Sequence, residues 1–183
     1  MDRCRNDQGT NCQRGHEYLL KSPTIHPSAF IAPGAHLYGD VTIGPGVFVL
    51  FGVVIRAEFD QVIIGRETNI QDNCVVHCDE DAPSILGGRV TMGHGAVVHG
   101  AEVGDRALIG IGAIALNRSV IGEGGWLAAG SVLPEGKSVP PWTLAMGIPA
   151  LPVRELTEDE IRQADEGVEH YLDLAGHYRE IFD

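Results

Sequence analysis

From Ile25 onward, aliphatic residues return at every sixth position: Ile25, Ile31, Leu37, Ile43, Val49 and Ile55. The fifth place of each unit is often small or β-branched, as at Ala29, Ala35, Val41 and Val47, and the second is often glycine or polar. The period resumes at Ile64, Ile70 and Val76, breaks at an acidic loop, and returns at Leu86, Met92 and Val98. A five-residue step then leads to Val103, Ile109, Ala115, Ile121, Leu127 and Leu133. Self-similarity at six residues predicts a parallel β-helix. An α-helix fits poorly, because glycine at nearly every sixth residue would cost about 1 kcal/mol each time. An antiparallel sheet would alternate with period two, which this chain does not.

The repeat resembles that of the hexapeptide-repeat proteins, and the resemblance implies an all-β solenoid: a left-handed parallel β-helix of hexapeptide repeats with a C-terminal α-helix. In that fold each hexapeptide gives one short strand and a turn, and three hexapeptides close one triangular coil.

After Pro149 the pattern changes. "GIPALPVREL" looks like the exit strand of such a prism, and "TEDE" offers a capping box in which Thr157 caps and Glu160 reaches back. A helix is expected to follow, because Ile161, Ala164, Val168, Tyr171, Leu172, Ala175 and Tyr178 fall at spacings of three and four. This stripe would lie along the prism or on a neighbouring subunit, and Gly167 and Gly176 are the places where the helix could break. The chain is therefore divided into a flexible extension over residues 1–16, a β-helix domain over 17–153 and a helix over 154–183.

Composition narrows the function. A formal net charge of -12 over 183 residues excludes the basic surface that nucleic acids or anionic membranes require. No apolar run approaches the roughly 18 residues of a membrane span, and "MDRCRNDQGTNCQRG" lacks the apolar core of a signal peptide, so a cytoplasmic location is expected. Cys4 and Cys12 could pair, but four cysteines do not make a disulfide framework. Cys74 occupies a small inward place and reads as core; Cys78 could compete for a soft metal. Trp126 and Trp142 read as core and exit-strand contacts.

The candidate chemistry lies in three histidines. Counting faces from Ile25 puts Ile55, Val76 and Val98 on the third face in successive coils, so Arg56, His77 and His99 form one outward column. Adjacent strands lie roughly 4.8 Å apart, which lets His77 and His99 share one ion. His94 falls on the second face, as does Gln71 one coil earlier. A single prism would point His94 away from the other two, and the simplest convergence is across a subunit boundary in a closed threefold ring. His26, His36, His170 and His177 match no ligand position and read as surface.

Arg56, "NIQD" at Asn69 to Asp72, His77, and "HGAVVH" from His94 to His99 resemble the γ-class carbonic anhydrases, from about Ile25 to the end of the C-terminal helix. The resemblance implies a homotrimer that hydrates CO2 to bicarbonate at Zn2+, with Fe2+ or Co2+ as alternatives. His77 and His99 of one subunit and His94 of the next would be the ligands. It further implies that Arg56 and Gln71 flank the bound water or substrate, that Glu80 in the loop Asp79, Glu80, Asp81 shuttles protons, and that Asn69, Asp72 and Tyr171 line the pocket. For Tyr171, packing is the first reading and lining the site the second. This chain has Arg56, Ala57, Glu58 where many relatives have arginine, glycine, aspartate, and Phe59 where active members have a glutamate. Glu58 thus takes the place of the aspartate, or forms no more than an interface ion pair with Arg56. The rival readings are a hexapeptide acyltransferase using acyl-CoA, which needs one histidine as general base, and a noncatalytic metal-binding assembly protein.

Overall fold

A computed structural model describes residues 20–182. The expectations for residues 1–16, including Cys4 and Cys12, lie outside the described residues.

The chain winds as a left-handed parallel β-helix with one C-terminal helix. Successive coils stack in register along the third face, so that Ile55 pairs with Val76 and Val76 with Val98, while one irregularity between Gly39 and Val41 shifts the pairing of His36–Ile43 with Val54–Ile64. On the second face Ile70 pairs with Met92, and Met92 with Ile109. The sixth-position aliphatics turn inward and stack into one core running the length of the prism; Ile55, Ile70, Val76, Met92, Val98 and Ile109 are all 0% exposed. Ile25, at the open end of the stack, is the exception and is exposed.

Hydrogen bonding divides the coils into an eleven-stranded and an eight-stranded sheet. The first and third faces belong to one sheet, because the strands His36–Ile43 and Val54–Ile64 run through the corner between them. The second face forms the other sheet and ends with the antiparallel exit strand Ala150–Glu155 laid on Thr143–Gly147.

The corners need backbone in the left-handed region, which explains glycines such as Gly46, Gly52 and Gly112. The glycines that follow the inward aliphatics, such as Gly65 and Gly110, have a different cause: a β-carbon there would lie 2.4 Å from the backbone of the next coil. Where the corner residue is not glycine it is often charged: Glu67, Arg89 and Arg106 all have φ near +60°. Gly124 continues their column for a second reason. A β-carbon there would lie 2.2 Å from the Trp142 ring, and the Arg106 guanidinium sits 4.8 Å from the centre of that ring. Trp142 is therefore a corner residue, and its carbonyl also accepts from the Leu156 amide at 2.8 Å at the end of the exit segment. Trp126 likewise sits on the outer surface of the second face, while Leu127 takes the inward place.

The helix runs unbroken over Glu158–Phe182, through both glycines. Thr157 Oγ1 accepts from the Glu160 amide at 3.2 Å and Glu160 Oε2 accepts from the Thr157 amide at 2.9 Å, closing the capping box. Arg154 and the Thr157 amide hold the Glu160 carboxyl down at about 2. The helix packs on the second face of its own prism. Val168 and Ala175 are buried, and Ala175 joins Tyr171, Leu174 and Tyr178 against the outward Phe30 and Phe48. Ion pairs from Arg89 to Glu169 at 2.7 Å and from Arg106 to Asp165 at 2.5 Å tie its flank to the corner column. This packing offsets the roughly 1 kcal/mol that each of Gly167 and Gly176 costs a helix interior. No described helix is long and apolar enough to cross a membrane.

Candidate metal centre

Strand register creates the site. Arg56 pairs with His77, and His77 with His99, so three consecutive coils of the third face put their outward residues in one column. The two imidazole centroids are 4.8 Å apart, and His77 Nδ1 lies 2.9 Å from His99 Nε2. Glu58 is carried back over the column by the strand Val54–Ile64, where it ion-pairs with Arg56 and places Oε2 3.1 Å from His77 Nε2. Phe59 stands edge-on to His77, with centroids 6.2 Å apart.

The second face carries the other half. Asn69 pairs with Thr91, and its Nδ2 donates to Thr91 Oγ1 at 2.8 Å, while Gln71 Nε2 donates to Asn69 Oδ1 at 3.2 Å. Asn69 and Gln71 are both buried. His94 stands at the adjoining corner with Nδ1 2.9 Å from Asp72 Oδ2. Tyr171 reaches this side from the helix. Burial first, and then the charge of Asp72, pushes its hydroxyl pKa up. It also packs on Phe48 at 6.4 Å between ring centroids, the packing role expected of it.

The ten predicted site residues thus fall into two groups on different faces. Arg56, Glu58, His77, His99 and the Glu80 loop form one, and Asn69, Gln71, Asp72, His94 and Tyr171 form the other. Among the described residues, no cluster of three or more histidines, cysteines or acids capable of holding a metal lies within one chain.

The third-face half fits a cation. His77 Nε2 and Glu58 Oε2 are both buried and neither makes a hydrogen bond, although they face each other. Burial, with the charges of Arg56 and His99, lowers the His77 pKa to about 4, so the ring is neutral at pH 7. The charge of Asp79 acts in the opposite direction and is outweighed. A neutral imidazole nitrogen beside a carboxylate is a ligand set for a divalent ion. On the other face Asp72 can only accept, which puts the His94 proton on Nδ1 and leaves Nε2 bare.

Cys78 turns away from this set. It is 0% exposed and its thiol points inward, 3.3 Å from the Asp60 carbonyl, so it cannot compete for the ion. Cys74 is core, and burial pushes its thiol up to about 11. His26, His36, His170 and His177 are exposed. Glu80 sits in the turn closed by the bridge between Asp79 and Ala82 and is partly exposed. The Glu80 amide, donating to Asp79 Oδ1, and the Asn117 side chain hold the Asp79 carboxyl below the usual range.

Two features escaped the sequence reading. Asn117 contacts His99, with Oδ1 2.6 Å from His99 Nδ1. It follows the inward Ala115 by two places, so extending the histidine column by one coil would have reached its neighbourhood. The second is an apolar strip beside one set and a single exposed aliphatic beside the other. Val54, Val75, Val97, Ile114 and Val132 align outward beside the histidine column of the third face. Ile111, 59% exposed, stacks on His94, whose carbonyl accepts from the Gly112 amide.

Comparison with known proteins gives the family. The family model for the bacterial transferase hexapeptide (six repeats) matches residues 22–57. A carbonic anhydrase of Geobacillus kaustophilus is 43% identical over 166 residues, 91% of each chain. The mitochondrial gamma carbonic anhydrase 2 of Arabidopsis thaliana is 37% identical over 85% of this chain and 58% of its own length. Among solved structures, a Bacillus cereus protein named as an acetyltransferase superposes with a TM-score of 0.88 at 38% identity, over 90% of this chain and 95% of that one. The chain belongs to the γ-class carbonic anhydrase family of hexapeptide-repeat proteins.

Proposed function

We propose that this protein hydrates CO2 reversibly to bicarbonate at a divalent metal held between the subunits of a homotrimer. His77 carries the reading, because its buried, uncharged ring presents an unpartnered Nε2 to an unpartnered carboxylate oxygen. His77 and His99 of one subunit with His94 of the next would hold the ion. Zinc is the first choice, and the same nitrogen donors accept ferrous iron or cobalt. When bound, the ion supplies a Lewis acid that makes hydroxide available from water near neutral pH.

The remaining work falls to the chain's own side chains. Arg56 orients Glu58 and gives the bicarbonate anion a cation on its way out. Gln71, braced by Asn69 and through it by Thr91, keeps amide hydrogen-bonding capacity for the substrate. Phe59 covers His77 against bulk water. Glu80, on the partly exposed turn beside the column, takes up the proton that hydration releases.

The trimer follows from incompleteness. Each prism holds two ligands on one face and the third at a corner of another; a half-buried apolar strip flanks the first set and the exposed Ile111 the second. Joining the His94 corner of one copy to the His77 column of the next buries Ile111 against that strip, and repeating the contact closes a threefold ring.

Stopped-flow CO2 hydration tests the proposal, using metal-analysed protein loaded with zinc or with ferrous iron beside a His94→Ala control. A metal-dependent rate absent from the control is expected. Full occupancy with a background rate would replace catalysis by a metal that serves assembly alone. The likeness to a protein named as an acetyltransferase favours a second reading, acyl transfer from acyl-CoA with one histidine as base. Acetyl-CoA consumption by metal-free protein would select it.

A further inference from the structure

His99 is tied outward as well as to His77. Its Nδ1 lies 2.6 Å from Asn117 Oδ1, and Asn117 Nδ2 donates to Asp79 Oδ2 at 3.1 Å. The other Asp79 oxygen accepts from the Glu80 amide at 2.9 Å, which fixes the carboxylate in place. A carboxylate only accepts, so the Asn117 amide must turn its NH2 to Asp79 and its carbonyl to His99. A carbonyl also only accepts, so His99 carries its proton on Nδ1 and its lone pair on Nε2. That lone pair is 2.9 Å from His77 Nδ1, which must then donate, leaving His77 Nε2 bare. One amide orientation therefore sets the tautomers of both rings.

We propose that Asn117 is a positioning residue of the candidate metal centre: oriented by Asp79, it fixes His99 with the proton on Nδ1 and the lone pair on Nε2, a lone pair that accepts from His77 in the metal-free chain and is free for an ion once that contact opens. This rests on the metal reading above. The local backbone is built around the same amide. A β-carbon on Gly100, the residue after His99, would lie 2.3 Å from Asn117 Oδ1, so only glycine there leaves the amide its place. Ligand histidines commonly hold a partner on the second nitrogen, and loss of that partner lowers metal affinity by about 10- to 100-fold.

The test uses the full chain in two states. In metal-free protein, long-range proton–nitrogen NMR correlations on labelled histidine are expected to show His99 with the proton on Nδ1. Asn117→Leu should release this to a mixture, and chelator competition should show zinc affinity lower by about 10- to 100-fold. The exchanged pair Asp79→Asn with Asn117→Asp reverses donor and acceptor between the two positions while still giving His99 an acceptor. It should restore the tautomer and bring zinc affinity back to within about threefold. A wild-type His99 protonated on Nε2, or an exchanged pair that folds without recovering either readout, overturns the proposal. If Asn117→Leu fails to fold, the wild-type tautomer and the exchanged pair still decide. A wild-type protein that binds no zinc sinks the metal reading, and the metal-free tautomer still judges Asn117 separately.

Discussion

His77 Nε2 and Glu58 Oε2 face each other at 3.1 Å inside the third-face column, and neither has a hydrogen-bond partner. Two buried acceptors in contact repel and lack compensation, which destabilises the metal-free chain until a cation or a donor comes between them. Glu58→Gln supplies such a donor, while its remaining oxygen still accepts from Arg56. The metal-free protein is expected to gain up to about 1 kcal/mol. Zinc affinity should fall roughly tenfold or more. Thermal unfolding with and without chelator measures both; a destabilised metal-free variant would count against the facing-acceptor description.

The depressed His77 value has a signed consequence. The unfolded ring takes a proton near 6.5, but the folded ring resists it down to about 4. Between these values the unfolded state binds more protons, so stability rises with pH there. The contribution is complete above 6.5, is lost as pH falls toward 4, and amounts to about 3 kcal/mol at most. Denaturant melts of metal-free protein across this window should show the slope, and His77→Gln should flatten it. A stability that grows on acidification would mean that Glu58, not burial, governs the ring.

Subunit sharing predicts complementation. Neither His94→Ala nor His77→Ala trimers should bind zinc at full strength. In verified mixed trimers, an intact third-face column from the first variant meets an intact His94 corner from the second at some interfaces. Recovery of tight zinc binding there is expected in calorimetry, and none would place all three ligands elsewhere.

The apolar ladder predicts how the proposed ring would come apart. Val97 points outward between Val75 and Ile114 in register, so Val97→Asp leaves the prism's interior untouched. Unfolding of the isolated chain should change by no more than about 0.5 kcal/mol. Sedimentation should show monomers that no longer hold zinc tightly. A Val97→Asp protein that stays trimeric would move the interface off the third face.

The hexapeptide period determined the coil, its three faces and the inward ladder, because a six-residue repeat that buries one aliphatic per strand leaves no freedom of register. Counting along that period was enough to put His77 above Arg56 and below His99, and to set His94 apart. Local patterning likewise sufficed for the capping box at Thr157 and Glu160. Tertiary structure alone decided what lies sideways to the period. The corner bend that carries Glu58 back onto His77, the inward turn of Cys78 and the Asp79–Asn117–His99 chain all join residues through side-chain direction, which a repeat does not encode. Trp126 and Trp142 show the same limit: both are large and apolar, but one lies on an outer face and the other against an arginine at a corner, because the narrow prism interior is already filled by the sixth-position aliphatics.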